Sequence, residues 1–158
     1  MSNLTIWIHF LHVLAALWLA AGTFAGAVVR AQTKRATEFP ARVQGLRIGW
    51  RLVKVCAIPG SIVAGLLGLV LVFRLGFGFQ PGWVHASVGL WLLLLGVGLF
   101  YSAPRLKKTL AAAEASLAAG APTEELKRLT ASKLPGIVAD IQALGIVILT
   151  LLMVFKPF

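Results

Sequence analysis

The sequence predicts an all-α protein, a four-span transmembrane helix bundle, and three observations carry that prediction. Of 158 residues, 59% are hydrophobic and 13% charged, about half the ~25% charged residues of a soluble domain; mean hydropathy is +0.89. Four apolar stretches approach or reach the roughly 20 residues that a bilayer requires. The Lys and Arg residues, 15 against 5 Asp and Glu, concentrate between those stretches. This composition excludes a soluble globular domain and a disordered chain. A net charge of +10 elsewhere points to nucleic acid or an anionic surface; with the charges confined to connecting segments it reads as membrane topology, with no nucleic-acid partner. The chain, residues 1–158, is one integral membrane domain.

The first span covers residues 6–29 and holds no Asp, Glu, Lys or Arg. It reads as a membrane helix and not a signal peptide, because its basic flank follows it and its apolar run is too long. The second covers about 55–73 and the third about 83–104. The fourth covers about 137–155 and contains one acid, Asp140. In lipid the backbone must satisfy its own N–H and C=O groups, so these segments are helices.

Basic residues set the expected orientation. The segment after the first span carries Arg30, Lys34, Arg35, Arg42, Arg47, Arg51 and Lys54, and the segment after the third carries Arg105, Lys107, Lys108, Lys127, Arg128 and Lys133. The turn between the second and third spans has only Arg74. The positive-inside rule places the two basic segments in the cytoplasm of a bacterial-type inner membrane and both termini outside. Trp7 and Trp83 then mark the outer interface and Trp50 the inner one.

Pro104 is expected to kink or end the third span. Leu106 to Leu117 reads as a helix closed by Gly120, and Pro122-Thr123-Glu124-Glu125 as the start of another, which runs to about Lys133. The expected role of this region is a connector on the anionic inner leaflet, with a partner surface as the other reading. The first basic segment shows no strong pattern beyond its charge. Small residues recur four apart, at Gly22 and Gly26 and at Gly60, Ala64 and Gly68, a spacing that serves bundle packing or a helix dimer.

Ionisable residues within spans are functional candidates by default. His9, His12 and His85, all the histidines of the protein, lie in or at the edge of spans. His9 and His12 are three apart and share a helical face. Two imidazoles from different helices commonly hold a b-type haem, so His12 and His85, with His9 in reserve, are candidate haem b or copper ligands; interhelical hydrogen bonding or an interfacial place is the plainer alternative. Met153 is a candidate soft ligand or a packing residue. Asp140 reads as a boundary carboxylate, solvated or paired with a basic loop residue such as Arg51 or Lys54, or as a proton or substrate contact. Lys156 reads as snorkelling. The single cysteine, Cys56, excludes an internal disulfide and a CxxC motif. No Gly-rich phosphate loop, hydrolase triad order or carboxylate pair is present, so an enzymatic role requires a cofactor.

Trp7-Ile8-His9-Phe10-Leu11-His12-Val13-Leu14, followed by Trp18 and Gly22, resembles the first helix of an integral membrane family, domain of unknown function 2269. That family is distantly similar to the HemJ-type protoporphyrinogen oxidases and to CopD-like copper membrane domains. Arg51-Leu52-Val53-Lys54 with Pro59, Trp83-Val84-His85-Ala86, and the closing Met153-Val154-Phe155-Lys156-Pro157-Phe158 fit the same pattern. The resemblance implies a four-helix membrane bundle in which His12 ligates haem b, Asp140 takes the place of a glutamate, and protoporphyrinogen IX is oxidised. It also implies Arg51 and Asp140 as propionate or proton partners. Two departures bear on the oxidase activity. Ser87 stands where HemJ-type proteins carry lysine, and only the basic part of the cluster before the second helix is present, as Arg47, Arg51 and Lys54.

The leading expectation is therefore a haem b membrane protein for electron transfer or porphyrinogen oxidation. A cofactor-free accessory or assembly subunit and CopD-like copper handling are the alternatives. Membrane lipid is the expected surrounding, with a homo-oligomer or a larger membrane complex as the expected assembly.

Overall fold

The computed structural model describes residues 2–157, so Phe158 of the closing motif lies outside the described residues. Five helices follow one another: α1 Asn3–Arg35, α2 Phe39–Arg74, α3 Gly82–Ala119, α4 Glu124–Ala131 and α5 Leu134–Phe155. All but α4 are long and apolar enough to cross a membrane. Their large apolar side chains face outward, Leu93, Phe100 and Val154 among them, as a lipid surround favours.

Helix α1 begins at Ser2, whose hydroxyl accepts the Thr5 N–H. It pairs most extensively with α2, and the two run antiparallel because small residues let their backbones meet. A methyl group at Gly22 would collide with Cys56 and the Ala57 backbone, and one at Gly60 would lie 2.7 Å from the Leu19 nitrogen. Further along, Gly45 faces Thr33 and Gly68 faces the His12 ring. Gly26 meets nothing, so the Gly22–Gly26 spacing serves packing only through its first member. Helix α3 joins α2 through Trp91, whose indole N–H donates to the Ser61 carbonyl at 3.0 Å over Gly65. Helix α5 closes the bundle with Gly145 against Leu94 and with Gln142, which donates to the Leu94 carbonyl and accepts from the Ser102 hydroxyl.

Two prolines sit inside long helices without ending them. Proline lacks an N–H and its ring crowds the carbonyl four residues back. Here one wider, π-helical turn precedes each: Val53–Ala57 before Pro59 and Gly98–Ser102 before Pro104. The Ile58 N–H reaches the Val53 carbonyl and the Ala103 N–H reaches Gly98, each five residues back. Pro104 therefore does not end the third span; α3 continues to Ala119, where Gly120 takes a left-handed φ of 68°.

The basic segments are folded as helices. The Phe39–Leu52 part of α2 packs on the Ala103–Ala119 part of α3. With α4 they enclose a small core of Val43, Ala112, Ala113, Leu126 and Leu129, flanked by Phe39 and Leu46. Thr123 caps α4 by accepting the Leu126 N–H, and the buried Ser116 hydroxyl ties Thr123 back to α3. Arg47 and Glu114 bridge the outside of this layer at 2.8 Å. Both basic segments thus stand at one end of the bundle, its basic side.

On the opposite side, the Lys156 ammonium lies 4.9 Å from the Phe77 ring centre and 5.7 Å from that of Trp83. This aromatic seat, rather than free snorkelling, ties the end of α5 to the Leu75–Pro81 turn. Gly76 and Gly78 in that turn both take positive φ.

Candidate functional site

The candidate ligand residues of the sequence are dispersed. His12 is buried, and its Nδ1–H donates to the Ala64 carbonyl at 2.9 Å. His9, one turn earlier, is exposed. His85 is also exposed, its ring 6.0 Å from that of Phe79. The shared face expected of His9 and His12 does not bring both inward, because α1 buries only a narrow stripe through Thr5, His12, Ala15 and Gly22. Among the described residues, no three His, Cys, Asp or Glu side chains gather as a metal site. Met153 is exposed and Cys56 half-buried.

Asp140 is exposed and forms an ion pair with Arg30, at the end of α1, not with Arg51 or Lys54. Lys54 instead lies 5.9 Å from the Trp50 ring centre, and Arg51 is exposed. Pairing with a basic residue of the segment after the first span was expected; the particular partner, Arg30, follows from α1 extending past Val29 and running beside the first turns of α5.

The structure gathers a different set of residues. A cavity of about 740 Å³ lies between α1, α2, α3, α4 and α5 and runs from mid-bundle into the basic-side layer. That volume falls within the ~300–1,000 Å³ of small-molecule sites. The two wide turns border it: Val53, Ala57 and Ile58 line one wall, and Gly98, Tyr101 and Ser102 another. Each turn spreads its helix by one residue and so makes room. The deep end is apolar, with Leu19, Leu94, Ile146 and Leu149, and carries the polar groups of Ser61 and Trp91.

The basic end is lined by six cations, Arg30, Lys34, Arg42, Arg105, Lys127 and Lys133, and by no Asp or Glu. Arg30 and Lys127 have carboxylate partners in Asp140 and Glu124. Arg42 donates through Nε to the Ala36 carbonyl, and Arg105 through a terminal nitrogen to the Leu129 carbonyl. The Arg105 Nε is buried without a partner. Such an atom carries an unmet desolvation penalty. An apolar pocket ending in six cations, four of them without a carboxylate partner among the described residues, is suited to a molecule with an apolar body and an anionic head.

Sequence reasoning missed this site. Its walls are ordinary packing residues, and its cations were already accounted for as topology signals. The pairing of a helix-interior proline with a neighbouring span was the one available hint, since wide turns concentrate at functional sites.

Among the described residues the Ser87 Oγ is also buried without a partner. The cavity does not reach His12, His85 or Ser87.

A family model described as "Predicted integral membrane protein (DUF2269)" matches residues 6–157, and the chain belongs to that family. No curated protein and no solved structure matches the chain.

Proposed function

We propose that this member of the DUF2269 family binds an amphipathic anion, a molecule with an apolar body and a carboxylate or phosphate head, within the membrane. The lining of the cavity carries the reading: apolar along the bundle, with six cations and no carboxylate at its basic end. Four of these cations, Lys34, Arg42, Arg105 and Lys133, have no carboxylate partner among the described residues, and a bound anion would pair with them. By the positive-inside rule the basic side faces the cytoplasm of a bacterial-type inner membrane, with both termini outside. The anionic head is then at the level of the inner leaflet.

Gly26 and Gly49 line the cavity, and a methyl group added at either would have no neighbour within 4 Å. Gly26→Leu and Gly49→Leu start from positions where the Cβ itself meets nothing, so their side chains extend into the space around the cavity. The test is mass spectrometry of molecules extracted from protein purified in mild detergent. An amphipathic acid is expected in near-stoichiometric amount with the parent chain and depleted in both variants. The same content in all three proteins overturns the reading.

One observation favours a second reading, haem b at His12. A metal-ligating imidazole is commonly oriented by a hydrogen bond from its other nitrogen, and the Ala64 carbonyl holds the His12 Nδ1–H in that way. The Nε2 lone pair would then be free to ligate. A haem there would supply one-electron redox chemistry, and His12 is the residue that would hold it. Reduced and oxidised visible spectra of protein from haem-replete cells test this. A Soret band that His12→Ala abolishes supports it, and a featureless parent spectrum overturns it.

A further inference from the structure

We infer that the head of the bound anion is a phosphate monoester carried by a membrane lipid, and that Lys34, Arg105 and Lys133 hold it at the junction of α4 and α5. This rests on the amphipathic-anion reading of the cavity and names its ligand.

Three cations from three elements lie along the 129–136 stretch, Lys34 and Lys133 exposed and Arg105 half-buried. Lys34, from the end of α1, places its ammonium 3.5 Å from where a Gly136 Cβ would stand. Arg105, from α3, reaches the Leu129 carbonyl at 3.0 Å and keeps a buried, unpartnered Nε. Lys133 immediately precedes α5. All three line the cavity, and among the described residues none forms an ion pair. The start of α5 is itself the positive end of a helix dipole, so an ammonium beside it is unfavourable until an anion joins them.

The backbone cannot replace these side chains. The Leu134 N–H is used by the Ser132 hydroxyl, those of Gly136 and Ile137 by the Lys133 carbonyl, and Pro135 has none. The head must therefore be met by side-chain cations. A carboxylate, with one charge and two oxygens, matches one arginine and leaves two lysines unpaired. A phosphate monoester carries roughly −1.5 to −2 charges and three acceptor oxygens near neutral pH, which matches three cations, one of them a forked guanidinium. The apolar space that continues from this point to Ser61 and Trp91 takes hydrocarbon, so the phosphate belongs to a lipid and not to a soluble metabolite.

The experiment uses delipidated full-length protein in phosphatidylcholine nanodiscs, with binding of added dioleoyl phosphatidate, dioleoyl phosphatidylglycerol and oleate read by native mass spectrometry. Phosphatidate is expected to bind at least ~10-fold more tightly than the singly charged lipids. Lys34→Gln with Lys133→Gln is expected to abolish that preference, and Arg105→Lys, which keeps the charge and loses the fork, to reduce it. Lys107→Gln with Lys108→Gln removes two charges from the same side but outside the cavity lining and is expected to leave it intact. Equal affinity for oleate and phosphatidate overturns the head assignment and leaves the amphipathic-anion reading standing. Affinity for no acid above phosphatidylcholine overturns both. Tight binding of sn-glycerol 3-phosphate alone overturns the lipid assignment, and equal loss in the Lys107/Lys108 control overturns the named residues.

Discussion

The His12 imidazole donates from Nδ1 to the Ala64 carbonyl at 2.9 Å, a side chain of α1 bound to the backbone of α2. The ring lies over Gly68, where an added methyl would come 3.0 Å from its Cε1. The contact locks the register of the helix pair that is most extensively packed in the bundle. Hydrogen bonds between membrane helices average about 0.6 kcal/mol. His12→Phe, which keeps bulk and loses the donor, is expected to destabilise by about 1 kcal/mol. His12→Ala also leaves a void and is expected to lose about 2–4 kcal/mol. Unfolding in mixed detergent–SDS micelles measures both, and equal losses would remove the hydrogen bond from the account.

Gly60 and Gly26 predict opposite outcomes for the same substitution. A methyl at Gly60 meets the Leu19 backbone at 2.7 Å, and backbone cannot step aside as a side chain can. Gly60→Ala is expected to cost about 1–3 kcal/mol by overpacking. Gly26→Ala enters open space and is expected to be neutral or to gain up to about 1 kcal/mol from helix propensity. The same unfolding assay separates them.

The basic-side layer depends on its core more than on its surface ion pair. Ala113 is 1% exposed, so Ala113→Leu is expected to open the layer and speed protease cleavage near Gly120. Arg47 and Glu114 are each nearly half exposed, and Glu114→Gln is expected to cost under about 1 kcal/mol and leave cleavage unchanged. Limited proteolysis followed by mass analysis reads both.

Asp140 pairs with Arg30, which lines the cavity, and under the proposed function it would compete with the bound anion for that cation. Asp140→Asn is expected to lower stability by under about 1 kcal/mol while tightening phosphatidate binding roughly 2–5-fold. Weaker binding in this variant would mean that Arg30 does not face the head.

The four apolar windows were legible because hydropathy alone reports them. The helix signals at Gly120 and Thr123 were legible too, because they are local: a left-handed C′ glycine and a side-chain cap. The basic-side layer was not. Val43 and Leu46, like Leu126 and Leu129, are spaced for one helical face, but they sit among arginines and lysines that the topology argument had already absorbed. The candidate site was least legible. His12 was singled out from the sequence and does occupy a distinct buried place. The cavity, however, arises from two wide turns and from helices that outrun their apolar windows. Neither is written in the composition of any one segment.

Helices α2 and α3 cross from the bundle into the basic-side layer without a loop between. Bundle and layer are therefore mechanically continuous, like two levers whose short arms meet outside the bilayer. The wide turns before Pro59 and Pro104 sit where the two helices pass from bundle to layer. Because residues of the same two turns line the cavity, the junction of bundle and layer and the wall of the cavity are one piece of structure.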